Sequence, residues 1–565
     1  MKRWILLAGI LMLAVGSVVM SERRKVDVPV SPAAFLYLVA DTEQELTRMP
    51  VTFTRMSDEE EIRIGNELAR AYARNEEREN TPEIGIIERH LTKIGEQVAA
   101  NAHRRLPYKF HYLPEPYLVN AFALPGGHVF VGGGLLALMD SEDELAAVLG
   151  HEIEHIDHYD CSERVQREQA LRKIPLGGLF EFPIELFEAG YSKDQELQAD
   201  RDGTKLAVEA GYAANGAVRM FETFARLYEE YERRAKTPQE ELSRVAQQTL
   251  EGYFRSHPLP SERIAQIQKL IASEGWTARP ERDLAIAYIF WTEKAENALT
   301  AKKYAQAEQL ATQSLKLRPD QPKALLTLAR ARFSQANFTG AAEAYRKILE
   351  IDKTSHPEII RAYAEALAAS DRTTALRVFQ DWARNLEGEP SREVTVSEAG
   401  LELMEGAPQS SRRLAAELSH DDHASAPLWT GELAWWYYLA GDYAEAVELL
   451  MRAQQLRPGD RWLTQALVWS LIEVRRYADA LQILENSSYD PSLQSDKEIA
   501  RAVTHWQAQQ RDQAMIDFNS AVAAQPEWEN ANWVKALYSP LVAQSIQEMQ
   551  AEHERREKES HARRQ

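Results

Sequence analysis

From Ser57 onward, the spacing of apolar positions switches between the periods of helix and strand. Ser57-Asp-Glu-Glu60 supplies an N-cap with its capping-box partner and predicts a helix to about Asn75. After Thr81-Pro82, residues Ile84, Ile87, Leu91, Ile94 and Val98 recur at helical spacing and predict a second. The pattern then alternates from Tyr108 to Leu113, a strand. Leu118 to Leu124 and His128 to Val131 predict two more, joined across Pro125-Gly126-Gly127 as a hairpin that leads into a helix. Residues 121–139 are almost uncharged, but Pro125 and five glycines argue against a membrane span. Ser141-x-x-Glu144 is a second capping box and opens a helix to about Tyr159. Residues 162–192, with Pro175, Gly177, Gly178 and Pro183 among Leu, Phe and Ile, read as a long connection, suited equally to a lid, a membrane- or partner-facing flap, or plain packing on the domain. Helices resume over Ser192 to Gly211 and Gly216 to Arg234, and a turn at Ser256-His257-Pro258 opens another.

Beyond about residue 282 the strand formers thin out and alanine-rich helices take over with a fixed period. Ala307, Ala341 and Ala375 are 34 residues apart, as are Tyr304 and Phe338, and Leu317 and Ile351. The phase restarts with Tyr443 and Tyr477, Trp435 and Trp469, and Ala446, Ala480 and Ala514; Pro319, Pro458 and Pro526 follow the alanines by 12. A 34-residue period with small and aromatic positions of this kind predicts tetratricopeptide hairpins, whose stacking creates a binding groove. The boundaries read as an N-terminal segment 1–25, a catalytic domain 45–280, a first array 282–384, a degenerate repeat or linker 385–428, a second array 429–545 and a charged tail 546–565.

Composition narrows the partners. The net charge is −20 without a basic stripe, which excludes nucleic acid as an expected ligand. Cys161 is the single cysteine, so neither an internal disulfide nor a thiolate-rich metal site can form. Trp4 to Met20 is a 17-residue uncharged run between Lys2-Arg3 and Glu22-Arg23-Arg24-Lys25. It reads as a signal peptide or an N-terminal anchor, with Ala14-Val15-Gly16 favouring a cleaved signal, and therefore export.

The chemistry centres on His151-Glu152-Ile153-Glu154-His155. On a helix His151 and His155 lie one turn apart on one face and can share a metal ion, with Glu152 beside it to take a proton from water. A third ligand must come from elsewhere, and Glu196 on a separate helix is the strongest candidate. His158, Asp157 and Asp160 are nearer in sequence, but one continuous helix offers a compact ion only two neighbouring turns. Asp200, one turn after Glu196, is placed to orient a histidine or to protonate a leaving amine. His257 reads as an oxyanion stabiliser or a removable fourth ligand.

Asn120-Ala-Phe-Ala-Leu-Pro-Gly-Gly127, Gly132-Gly-Gly-Leu-Leu136, His151-Glu-Ile-Glu-His155, Glu196-Leu-Gln-Ala-Asp200 and Ser256-His-Pro258 with Arg263 together resemble the HtpX/CAAX-endopeptidase family of zinc metallopeptidases. The resemblance covers about residues 57–275, and the appended repeats make the layout similar to the exported BepA-like branch, which acts in outer-membrane protein quality control. It implies an α+β zincin-like metalloprotease domain, mostly helical with a small sheet, followed by an all-α tetratricopeptide solenoid. It further implies one Zn2+ on His151, His155 and Glu196, with Glu152 catalytic, Asp200 a proton donor and His257 an active-site neighbour. Asn120 and Ala121 correspond to an edge strand that aligns the substrate backbone, and Arg263 is grouped with them as substrate-binding. Glu154 departs from the family, where a small or neutral residue is usual. The expected protein is a periplasmic zinc endopeptidase whose repeats dock envelope assembly proteins, with peripheral membrane association allowed. The alternative is a periplasmic chaperone or scaffold with minor or latent proteolysis. A membrane-embedded prenyl-protein protease is disfavoured, because the sequence holds one apolar span.

Overall fold

In the computed structural model the described residues are 56–75, 81–172, 191–234, 260–352, 356–486 and 494–564. The N-terminal apolar run and His257 lie outside them. The chain divides into two units, residues 1–287 and 288–565.

In the first unit the two N-terminal helices form as their caps dictate. Helix α1 (Asp58–Asn75) opens with Glu60 N donating to Ser57 Oγ, and α2 (Pro82–Ala99) opens with Ile84 N donating to Thr81 Oγ1. Three strands follow, β1 (Lys109–Leu113), β2 (Ala121–Leu124) and β3 (His128–Gly132), in the order β1-β3-β2. β2 and β3 form the expected antiparallel hairpin, whereas β1 pairs with β3 in parallel, with Lys109 opposite His128. The second strand is shorter than its apolar run, because Leu118 turns back instead: its N–H donates to Glu115 O, and its carbonyl accepts from Leu135 N in helix α3 (Gly133–Leu136).

Helix α4 (Glu142–Asp157) carries the two histidines and has the capping box at Ser141 and Glu144. Buried Asp143 in its first turn accepts from Ala213 N at 2.6 Å and Arg282 N at 2.7 Å, which ties distant loops to this helix start. At the far end Arg104 donates to Ile156 O and to buried Glu61, and Glu61 in turn accepts from Gly126 N in the hairpin turn. The helix stops at His158 because Tyr159 is left-handed (φ 67°), with the Arg104 guanidinium 3.8 Å from its ring centroid. Asp160 then starts a new helix, α5 (Asp160–Arg172), in the first part of what the apolar pattern presents as a connection. Residues 173–190 of that stretch lie outside the described residues. Helices α6 (Lys193–Glu209), α7 (Asn215–Arg234) and α8 (Pro260–Glu274) complete the unit, α6 with a capping box at Ser192 and Gln195.

The second unit consists of antiparallel helices. Ala307, Ala341, Ala375, Ala446, Ala480 and Ala514 are each at most 1% exposed, so the 34-residue period marks small side chains enclosed in the core of the unit. A second periodic feature lies in the turns. Lys302, Ala336, Gly441, Arg475 and Gln509 all have φ between 59° and 86°, and each stands two residues before the second helix of a hairpin. Four of the five are not glycine, so the hairpin geometry overrides the usual cost of a left-handed side chain. The segment 385–428 is filled by helices Arg392–Met404 and Gln409–Leu418, and Trp436, fully buried, packs on Gly400, where a Cβ would stand 2.1 Å from the indole ring. The last helix, Pro540–Arg564, is seated on the core by Val542, Ile546 and Met549 before its charged stretch, so burial reaches further into the tail than its polar sequence suggests.

In the first unit, α4 and α6 meet at two glycines. A Cβ on Gly203 would stand 2.5 Å from His151 N, and one on Gly150 2.4 Å from Gly203 O. Backbone fills that space, so no side chain can rotate away to relieve the clash. Gly203→Ala is expected to destabilise the protein by about 2–3 kcal/mol, read as the shift in a denaturant unfolding midpoint. A midpoint equal to that of the unchanged chain would show that these helices are not held at this distance.

Candidate metal centre

The capping boxes set where α4 and α6 begin, and the glycine contact sets how near they run. Together these bring three donors from two helices to one point. His151 Nε2 and His155 Nε2 are 3.1 Å apart, His151 Nε2 is 3.5 Å from Glu196 Oε2, and His155 Nε2 is 3.8 Å from Glu196 Oε1. With bonds of 2.0–2.1 Å to a tetrahedral zinc ion, ligand atoms sit about 3.3 Å apart, so the spacing fits such an ion. His155 and Glu196 are at most 1% exposed and His151 is 7% exposed.

The outer nitrogens decide what the inner ones can do. His151 Nδ1 is 2.9 Å from Asp200 Oδ1, and His155 Nδ1 is 2.9 Å from Asp160 Oδ2. A carboxylate only accepts, so each Nδ1 carries the proton and each Nε2 turns a lone pair towards the other and towards Glu196. That arrangement is repulsive until a cation enters it. Burial alone would lower His151, but hydrogen bonds to Asp200 and Glu196 outweigh it and raise the ring to about 10; a proton then fills the cation's place. Burial lowers His155, against the opposing pull of Asp160.

Glu152 lies next to His151 and is buried. Burial pushes its carboxyl up, with Glu196 adding repulsion and His151, Arg263 and Arg164 opposing, to about 7. A carboxylate near neutrality suits a group that must take and return a proton.

Behind the cluster, Arg263 donates through Nε to Asp200 Oδ2 at 2.7 Å and through an Nη to Asp200 Oδ1 at 2.6 Å, and its guanidinium lies 4.2 Å from the Phe221 ring centroid. Arg263, expected to bind substrate, is 2% exposed, with its guanidinium engaged by Asp200 and Phe221. Of the two roles expected for Asp200, orientation of His151 is the one this contact serves: burial would raise its carboxyl, but Arg263 and His151 together hold it below the usual carboxylate range.

Asn120 O accepts from Gly132 N, and Ala121 opens β2, at the edge of the sheet. By antiparallel alternation, Asn120 and Phe122 face β3 while the backbone groups of Ala121 and Ala123 face outward, where Cys161 Sγ stands 3.6 Å from Ala123 O. Asp157 is occupied by the backbone N–H groups of His103 and Arg104 and points away from the three donors. His158 turns to Glu154 and Asp202, away from the three donors.

Residues that motif reading passes over complete the site. Tyr191 stacks on His155 with centroids 4.1 Å apart, and its N–H donates to Glu196 Oε1 at 2.9 Å. Its place directly before the Ser192 cap was the available signal. Gly150 and Gly203 also escape notice, because an isolated glycine in a helical pattern reads as a mild propensity defect.

A family model described as peptidase family M48 matches residues 87–271, and a tetratricopeptide repeat model matches residues 298–366 and 437–492. A putative beta-barrel assembly-enhancing protease of Vibrio cholerae serotype O1 is 26% identical over 325 residues, 48% of this chain and 63% of that protein. The mitochondrial metalloendopeptidase OMA1 of Schizosaccharomyces pombe is 30% identical over 151 residues, 25% of this chain and 44% of its own. The beta-barrel assembly-enhancing protease of Yersinia pestis is 25% identical over 201 residues, 32% of this chain and 38% of its own. The chain thus matches less than two thirds of the length of each of these three relatives. The resemblance read from the motifs is borne out: the chain carries a peptidase family M48 domain followed by tetratricopeptide repeats.

Proposed function

We propose that this chain is an exported zinc-dependent endopeptidase that cleaves protein substrates in envelope or outer-membrane protein quality control, with its repeats docking assembly partners. The observation that carries the enzymatic part is the convergence of His151, His155 and Glu196 with Glu152 alongside. The names of the Vibrio cholerae and Yersinia pestis relatives support the assembly setting. Export rests on the apolar run after Lys2-Arg3. Among the described residues, no helix is long and apolar enough to cross a membrane.

His151, His155 and Glu196 would hold the ion. Zinc in such a site supplies Lewis acidity, which makes water a nucleophile near neutral pH and polarises a carbonyl. Asp200 and Asp160 keep the imidazoles in the tautomer that directs Nε2 inward. Arg263 keeps Asp200 ionised and in place. Glu152 takes a proton from the attacking water and passes it to the departing amine. The outward backbone of Ala121 would pair with an extended substrate, adding it to the sheet as a fourth strand.

Glu152→Gln is expected to lower kcat by ~10²-fold or more on a denatured-protein substrate while zinc content stays at the unchanged level. Full retention of the cellular role by that variant, with zinc bound, would make the chaperone or scaffold reading the correct one. Asp200→Asn should weaken zinc binding ~10–100-fold in competition with a chelating dye, because the amide no longer fixes the His151 tautomer. An unchanged affinity would remove Asp200 from the positioning role.

The pH dependence has a definite sign. Glu152 works as a base only when ionised, and its carboxyl lies at about 7 without a cation. A neighbouring cation can only pull that value down, so kcat/KM should rise with pH on an acid limb at or below about 7. Zinc binding also displaces the His151 proton, so calorimetry in buffers of different ionisation enthalpy should show proton release, with affinity rising with pH. An activity that falls as pH rises from 5 to 7 would contradict this assignment of the base.

A further inference from the structure

We propose a second divalent-cation site on the same two helices, formed by Glu154, His158 and Asp202 with Gln198 beside them. It goes beyond the peptidase reading and does not depend on it.

The donors come as two pairs, each four residues apart: Glu154 and His158 on and at the end of α4, Gln198 and Asp202 on α6. Their ligand atoms converge. Glu154 Oε2 is 3.0 Å from His158 Nε2, His158 Nε2 is 3.9 Å from Asp202 Oδ2, and all three ligand atoms lie within 4.8 Å of one another. The first centre has the same construction and nearly the same spacing, 3.1–3.8 Å. Gln198 Nε2 is 3.5 Å from His158 Nε2, and exchanging its amide ends would present a fourth donor, an oxygen.

Burial supplies the independent reason. The Glu154 side chain is 1% exposed, and its Oε2 has no hydrogen-bond donor among the described residues, since His158 Nε2, although near, is not aligned as one. A carboxylate oxygen enclosed in this way lacks the partner that buried polar atoms almost always have. His158 and Asp202, at 23% and 21% exposure, line the open side through which an ion would enter. Asp202 is paired with Arg201 next to it on the helix, at 2.7 and 2.8 Å. Arg201 is 45% exposed, so solvent weakens the pair and one Asp202 oxygen can be released to an ion. One imidazole with two or three oxygens suits a first-row divalent ion such as zinc or manganese. Bound there, the ion would clamp α4 to α6 within one turn of the first centre.

The test is zinc stoichiometry. The full-length chain is stripped of metal, dialysed against buffered zinc and measured by atomic emission, with circular dichroism as the folding check. The unchanged chain is expected to bind two equivalents, and Glu154→Gln combined with Asp202→Asn one. His158→Ala, at a partly exposed helix end, should also lose one equivalent, and serves if the double variant does not fold. Retention of the full zinc complement by a folded variant of either kind overturns the proposal. His151→Ala with Glu196→Gln should keep one equivalent and still gain thermal stability from zinc. Loss of all zinc in that folded variant overturns the proposal and leaves the first centre intact. If that variant loses none while Glu154→Gln with Asp202→Asn loses one, the second site stands and the first centre fails.

Discussion

The contact between Gly150 and Gly203 is the constraint on which the centre depends. The two histidines belong to α4 and the third donor to α6, and neither helix can bring three ligand atoms together alone. The separation of the helices must therefore be set to within a few tenths of an ångström. Absent side chains set it: a methyl group at either glycine would overlap the other helix's backbone. The same proximity brings Asp200 up to His151, so ligand and orienting residue are placed by one packing event.

Around that contact, charge is arranged in layers. Glu196 faces the inner nitrogens, Asp200 and Asp160 hold the outer ones, and Arg263 compensates Asp200 from behind. Stacked carboxylates in a buried site would repel without such alternation. Glu61, Arg104 and Asp157 repeat the principle at the end of α4, locking its exit to α1 and to the hairpin turn. The helix with the histidines is thus held at its start by Asp143, in its middle by α6 and at its end by Arg104.

The repeat unit applies a different economy. Its identical alanines are enclosed between helices, and five left-handed residues, each two positions before a second helix, close hairpins. The alanines are visible as a period because every copy needs the same small volume. The turns are hidden, because lysine, alanine, arginine, glutamine and glycine all occupy them. There the conformation is imposed by the flanking helices rather than chosen by the residue.

Local chemistry therefore carried much of the reading. Ser141 with Glu144 and Ser192 with Gln195 are caps whose partners lie three residues away, so the helix starts were legible, and the spacing of His151 and His155 was legible as one face. What depended on residues far apart in sequence was not. The parallel pairing of β1 with β3, the closing of Arg263 onto Asp200, the stacking of Tyr191 on His155 and the turn of His158 towards Asp202 each join segments that no periodicity connects. The sequence by itself determined which residues could bind a metal and which helices would carry them. Only tertiary packing decided how near those helices run, and with it which carboxylate faces the two histidines and which hold their outer nitrogens, because that distance depends on what fills the space between two chain segments and not on either segment alone.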